Sequence, residues 1–156
     1  MTFRKSEVEA RCLIMKGKIL IVEDHEMIAE SYKLMLEAQG YDVFLTGNGQ
    51  ECIEKFDEHL KTHSAGQETG PFNLIVVDYH IPGKDGMEVI EHVLSKSPQQ
   101  RVLIASSYPR DVIEKSAQSA DILQNAIEML PKPFDLEDFV DTIEGRRPSE
   151  TISIHG

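Results

Sequence analysis

The chain of 156 residues has only two cysteines, Cys12 and Cys52. They form neither a disulfide framework nor a metal-ligand spacing, which points to a reducing compartment and leaves a single disulfide open. No apolar run approaches the length needed to span a bilayer. The stretch from Met1 to Lys18 is interrupted by Arg4, Lys5, Glu7, Glu9, Arg11 and Lys16, so it carries no signal-peptide core. Lacking both, the protein is expected in the cytoplasm. Basic residues are scarce as well. Lys and Arg number 16 against 27 Asp and Glu, a net charge of −11 and a pI near 4.9. That balance argues against nonspecific binding to nucleic acid or to an anionic membrane, both of which need a basic face. It suits basic partners or a bound cation. No internal repeat of useful length is present.

What the chain does contain is the composition of a globular domain, 40% apolar and 28% charged, at a length close to one domain. Short apolar runs alternate with amphipathic stretches, the signature of an α/β fold. Strands are predicted at Lys18–Val22, Tyr41–Leu45, Leu74–Val77, Val102–Ser106 and Glu128–Leu130. The first, third and fourth are continuous apolar runs, as strands buried on both faces in the middle of a parallel sheet require; Tyr41–Leu45 is more mixed, as nearer an edge. Helices are predicted at Glu26–Gln39, with Ile28, Tyr32, Met35 and Leu36 on one side and Gly40 as its stop, at Gln50–Leu60, and at Gly86–Ser97 closed by Pro98. A weaker one covers Arg110 to about Ser119, and Asp135–Ile143 starts with Asp135 as N-cap. These βα units form one doubly wound domain with right-handed crossovers. Lys61–Pro71 reads as a surface loop, residues 1–16 as an N-terminal extension, and 145–156 as a frayed tail.

The chemistry gathers at strand ends. The first strand runs into Glu23-Asp24, and the third ends in Asp78. In an open α/β sheet, ligands bind outside the carboxyl ends of the strands. If these strands are neighbours, three carboxylates converge, and something positive must neutralise them. A hard divalent cation such as Mg²⁺, which takes oxygen ligands, is suited to that; a plain helix cap is the competing reading of an Asp at such a junction. The fourth strand ends in Ser106-Ser107 and the fifth in Lys132-Pro133-Phe134, adding a hydroxyl and an ammonium at the same edge. Carboxylate nucleophile, metal, hydroxyl and lysine together suit holding a phosphoryl group on a carboxylate.

With these residues in place the sequence resembles the receiver (REC) domain of two-component response regulators, over Gly17 to about Glu144. The resemblance rests on Lys18-Ile19-Leu20-Ile21-Val22-Glu23-Asp24, on Leu74-Ile75-Val76-Val77-Asp78-Tyr79-His80-Ile81-Pro82-Gly83-Lys84-Asp85-Gly86, on Ser106, and on Lys132-Pro133-Phe134. It implies a flavodoxin-like, five-stranded parallel sheet of order 2-1-3-4-5 with helices on both faces. It implies Asp78 as phosphoacceptor from a phosphohistidine on a sensor histidine kinase or histidine phosphotransfer protein. Mg²⁺ is then held by Glu23, Asp24, Asp78 and the backbone carbonyl of His80. Lys132 contacts the phosphoryl group, and Ser106 bonds it and signals the modified state to a downstream protein target. A domain of this kind is a phosphoacceptor rather than a turnover enzyme. With no output segment after Glu144, a stand-alone receiver is expected, with no direct nucleic-acid binding and no membrane insertion. The alternative is a pseudo-receiver, an interaction module with the fold but without phosphotransfer.

Several positions depart from the family pattern. Met129 stands where the family usually has an aromatic switch residue, and Tyr108 is a candidate substitute. Pro131 precedes Lys132, and the chain looks inserted at 61–71 and 119–124, which we read as changes in partner choice. Elsewhere, His59 and His63 are spaced like a helical metal pair but read as a solvated helix end, and His25 is expected to be exposed. His80 is either a modulator of dephosphorylation or a loop residue without a role. Cys52 reads as a small core residue, and Gly47-Asn48-Gly49 as a turn and helix entry.

Overall fold

The computed structural model describes residues 16–63, 70–80, 86–108, 113, 127–146 and 150–152. Five strands run parallel: β1 (Gly17–Val22), β2 (Tyr41–Thr46), β3 (Leu74–Asp78), β4 (Val102–Ser106) and β5 (Ile127–Pro131). Their order is 2-1-3-4-5, the doubly wound arrangement that the resemblance implies. The three continuous apolar runs are the interior strands β1, β3 and β4, and every residue of β3 and β4 is buried. The mixed strand β2 lies at the edge.

Side chains alternate across the sheet, so each strand feeds two cores. Leu20, Val22, Ile75, Val77, Val102, Ile104, Ile127 and Met129 pack on one face with Cys52, Ile53 and Phe56 of α2 (Gly49–Thr62) and with Val89, Ile90 and Val93 of α3 (Gly86–Lys96). Ile19, Ile21, Leu74, Val76, Leu103, Ala105 and Leu130 face the other side, against Tyr32 and Leu36 of α1 (Glu26–Ala38) and Phe139, Val140 and Ile143 of α4 (Leu136–Ile143). Tyr32 and Phe139 bring α1 and α4 together, ring centroids 4.5 Å apart.

Helix ends follow local chemistry. Asn48 caps α2 by accepting from Glu51 N (2.9 Å), while the Glu51 carboxylate accepts from Gly47 N (3.0 Å), a reciprocal cap on the predicted helix entry. Asp135 caps α4 by accepting from Asp138 N at 2.7 Å. Gly40, at φ +102°, stops α1 in a conformation that disfavours side chains. At the amino ends of the strands, buried Gln100 bonds Phe72 N, Phe72 O and Arg101 O, fastening the segment before β3 to the start of β4. A Cβ on Gly70 would lie 2.2 Å from the Gln100 side-chain oxygen, so a larger residue there displaces that clamp. Arg101 binds both oxygens of Glu128 on β5 (2.5 and 2.9 Å) and the carbonyls of Thr142 and Ile143 at the end of α4.

Some expectations are corrected. The 145–156 tail is not wholly frayed: Glu150–Ile152 forms β6, antiparallel to β5, and among the described residues the sheet has six strands. Glu150-Thr151-Ile152-Ser153-Ile154 is rich in β-branched residues, which suits a strand but is too short to stand out as one. Helix α2 runs to Thr62, so the loop expected from Lys61 begins later. His59 is half-buried rather than solvated, packed between Phe44 (4.8 Å) and Phe72 (4.7 Å), and burial lowers its pKa. His63 is half-buried too. Ile28 points outward, 37% exposed, because Ala29 takes the inward position beside Tyr32. Of the predicted Arg110–Ser119 helix only Ile113 is described, helical and fully buried in the core; the rest of it, the 119–124 insertion and the N-terminal extension up to residue 15 lie outside the described residues. Among the described residues no helix is long and apolar enough to cross a membrane.

Two stability measurements follow. Phe56→Ala empties a fully buried ring site and is expected to cost about 3–5 kcal/mol in urea unfolding. Arg101→Ala removes the two-pronged pairing with Glu128 and the bonds to two helix-end carbonyls, for a loss of about 1–3 kcal/mol. A double-mutant cycle with Glu128→Gln reads the coupling between the two side chains, with an expected interaction energy of about 0.5–3 kcal/mol.

Candidate functional site

Register alone brings the carboxylates together. Val22 of β1 pairs with Val77 of β3, so Glu23 and Asp24, just past β1, stand beside Asp78, the last residue of β3. Backbone bonds fix the next shell: Glu23 N donates to Thr46 O and Tyr79 N to Ala105 O, both at 3.1 Å. Asp78 is the register partner of Ala105, which puts Ser106 one residue beyond it on β4. Ser106 pairs with Pro131, and Lys132 N donates to Ser106 O at 2.8 Å, carrying the lysine to the same edge. The Lys132–Pro133 peptide is cis.

Lys132 Nζ lies 3.0 Å from Asp78 Oδ2 and 3.6 Å from Glu23 Oε2. The other oxygen of Asp78 accepts from His80 N at 3.0 Å, and Glu23 Oε1 accepts from His25 N at 3.2 Å. Carboxylate oxygens of Glu23, Asp24 and Asp78 lie within 4.8 Å of one another; Glu23 and Asp78 are buried and Asp24 is exposed. Burial and then the Asp78 charge push the Glu23 carboxyl above its ordinary range, against the opposing pull of Lys132 and the His25 amide. The Tyr32 hydroxyl, below the site, is raised to about 12 by its burial, with the charges of Glu23 and Asp78 adding to the effect.

This donor set fits a hard divalent cation. All three side chains offer oxygen, and one ammonium does not balance three carboxylates. The sequence-predicted residues Glu23, Asp24, Asp78, Ser106 and Lys132 therefore stand at one edge of the sheet. His80 also stands there; its backbone N–H touches Asp78, a contact that residue types cannot signal because every non-proline residue carries that group.

Around the carboxylates, Ser106 is 2% exposed, and its Oγ accepts from Tyr108 N at 2.9 Å. The Tyr108 ring is partly exposed and stands edge-on to Tyr79 (5.4 Å) and against His80 (5.5 Å). Met129 is buried in the core on the α2/α3 face. Residues 81–85 lie outside the described residues. His25 is exposed, as expected. Cys52 is a free, fully buried thiol raised to about 12 by burial, which suits an inert core residue. Beside Lys132 opens a groove of about 380 Å³, lined by Ile28, Tyr32, Ser107, Lys132, Pro133 and Phe134. Met27, 77% exposed, precedes Ile28 on α1.

Comparison with known proteins agrees with this geometry. The chain is 33% identical over 125 residues to the uncharacterized transcriptional regulatory protein YkoG of Bacillus subtilis (strain 168), covering 80% of this chain and 48% of YkoG. It is 26% identical to sporulation initiation phosphotransferase F of the same organism, covering 86% of this chain and 97% of that protein. The chain thus spans about half of the first relative and nearly all of the second. Among solved structures, the response regulator TrrA of Thermotoga maritima in complex with Mg²⁺-BeF shares the fold, with a TM-score of 0.62 and 24% identity over 82% of this chain and 96% of that one. A family model for the response regulator receiver domain matches residues 19–144. The chain belongs to that family, the response regulator receiver domains of two-component signalling.

Proposed function

We propose that this receiver domain takes a phosphoryl group onto Asp78 from a phosphohistidine of a sensor histidine kinase or histidine phosphotransfer protein, in a Mg²⁺-dependent reaction in the cytoplasm. The observation that carries this reading is the Lys132 ammonium 3.0 Å from a buried carboxylate that already neighbours two more. Glu23, Asp24 and Asp78, with the backbone carbonyl of His80, are the residues that would hold Mg²⁺, which when bound supplies positive charge for the phosphoryl oxygens.

An Asp78 carboxylate oxygen forms the bond to phosphorus while the P–N bond to the donor breaks, and the imidazole leaves with the electron pair and takes up a proton. Lys132 orients the carboxylate beforehand and pairs with phosphoryl oxygens afterwards. Ser106 Oγ accepts from Tyr108 N, and among the described residues its hydroxyl proton has no acceptor, so it can donate to a phosphoryl oxygen. Turning to do so releases the Tyr108 amide, so phosphorylation biases the loop after β4 between two arrangements, and a downstream protein target reads the difference. Residues 17–144 carry this function, with 1–16 and 145–156 flanking it.

The donor must cover Asp78 to deliver its histidine. The groove beside Lys132, with Met27 and Ile28 exposed next to it, supplies an apolar surface for that contact.

Three outcomes are expected. Acetyl phosphate with Mg²⁺ labels the protein once, as read by intact mass; Asp78→Asn or EDTA removes the label, and an unlabelled wild type would instead make the chain a pseudo-receiver. Lys132→Ala slows labelling by roughly 100-fold or more, the scale of removing one preorganised stabiliser of developing charge. Ile28→Glu lowers the rate of transfer from a phosphorylated histidine protein by about tenfold, one 1.4 kcal/mol step. Its labelling by acetyl phosphate stays at the wild-type rate, because only the protein donor uses the groove.

A further inference from the structure

We propose that the outer edge of β5 is a strand-docking site, filled in this chain by its own residues 150–152 and open to the same segment of a second copy by exchange. The inference is independent of phosphoryl chemistry at Asp78.

The sheet order makes β5 the last parallel strand, and β6 lies on its outer side. Without β6, the outward N–H and C=O groups of β5 would form an open edge, a template for any extended segment. The occupant differs from the rest of the sheet: β6 is three residues long and antiparallel, whereas each of the other pairings is parallel. Its register is defined, with Ile152 opposite Ile127, Thr151 opposite Glu128 and Glu150 opposite Met129. Ile127 and Met129 are core residues, and Arg101 holds Glu128, so the acceptor strand is fixed while the added strand contributes little of the sheet.

The segment suits this edge by composition. Glu150-Thr151-Ile152-Ser153-Ile154 has β-branched residues at three of five positions and a single charge. Gly145, at φ +75°, ends α4, and only Arg146 to Ser149 separate it from β6. A strand appended after the last helix can be given to a neighbour without disturbing the two cores. Two copies that trade such strands make two identical pairings and close on themselves, as a two-fold dimer requires. The intrachain pairing benefits from the high local concentration that a short connection gives, so the monomer dominates in dilute solution.

Two experiments on the full chain test this. Prolines at both 151 and 152 remove a ladder donor whichever phase the alternating bonds take. In T151P/I152P, amide exchange at residues 127–131 should rise at least tenfold over wild type. A labelled peptide copying residues 149–156 should bind that variant and bind wild type at least tenfold more weakly, with a scrambled peptide inert. Unchanged exchange, no peptide binding by the variant, or equal binding by wild type overturns the proposal.

Should the proline variant fail to fold, E128C/T151C in a Cys12→Ser background decides the matter by oxidation and non-reducing electrophoresis. The expected result is an intrachain crosslink at about 10 µM and an interchain crosslink appearing at about 1 mM, the scale of effective concentration for a short linker. Intrachain product alone at both concentrations, or no crosslink at either, overturns the proposal.

Discussion

Everything at the functional edge depends on holding like charges together. Glu23, Asp24 and Asp78 place carboxylate oxygens within 4.8 Å of one another. Two such charges about 4 Å apart near a protein surface repel by roughly 4 kcal/mol. Left to themselves the side chains would separate. The parallel pairing of β1 with β3 prevents it: Val22 and Val77 are locked in register by two apolar layers, and the carboxylates follow the backbone. Lys132 relieves part of the repulsion and arrives by the same means, through β5 paired to β4. The sheet holds a cluster of carboxylates with more negative than positive charge at this edge, and the two cores keep it in place.

Much of this was legible because burial leaves a plain mark on composition. Ile19 to Val22, Leu74 to Val77 and Val102 to Ala105 are uninterrupted apolar runs, and they are the interior strands. The acidic residues after the first run and at the end of the third stand beside each other for the reason the sequence suggests, that these strands are neighbours. Helix ends were readable where a side chain does the capping, as at Asn48 and Asp135, or where a backbone conformation calls for glycine, as at Gly40.

The rest was hidden for identifiable reasons. The His80 amide that bonds Asp78 carries no residue signature. Strand β6 is too short for periodicity to count. Helical spacing assigned both Ile28 and Tyr32 to the core, but the small Ala29 fills the site and turns Ile28 toward the groove. His59 was read from its neighbours in sequence, whereas Phe44 and Phe72, which decide its environment, come from β2 and the approach to β3.

The Gln100 clamp has a bearing on how this domain can vary. Its three bonds tie Phe72 and Arg101 at the amino ends of β3 and β4, a full strand length from Asp78. Whatever chain is spliced in between α2 and Phe72 meets that knot before it can reach the sheet. Extra length is thereby insulated from the acidic edge, and the segment ahead of Gly70 becomes a natural port for grafting a tag or a recognition peptide while the chemistry at the far end is left undisturbed.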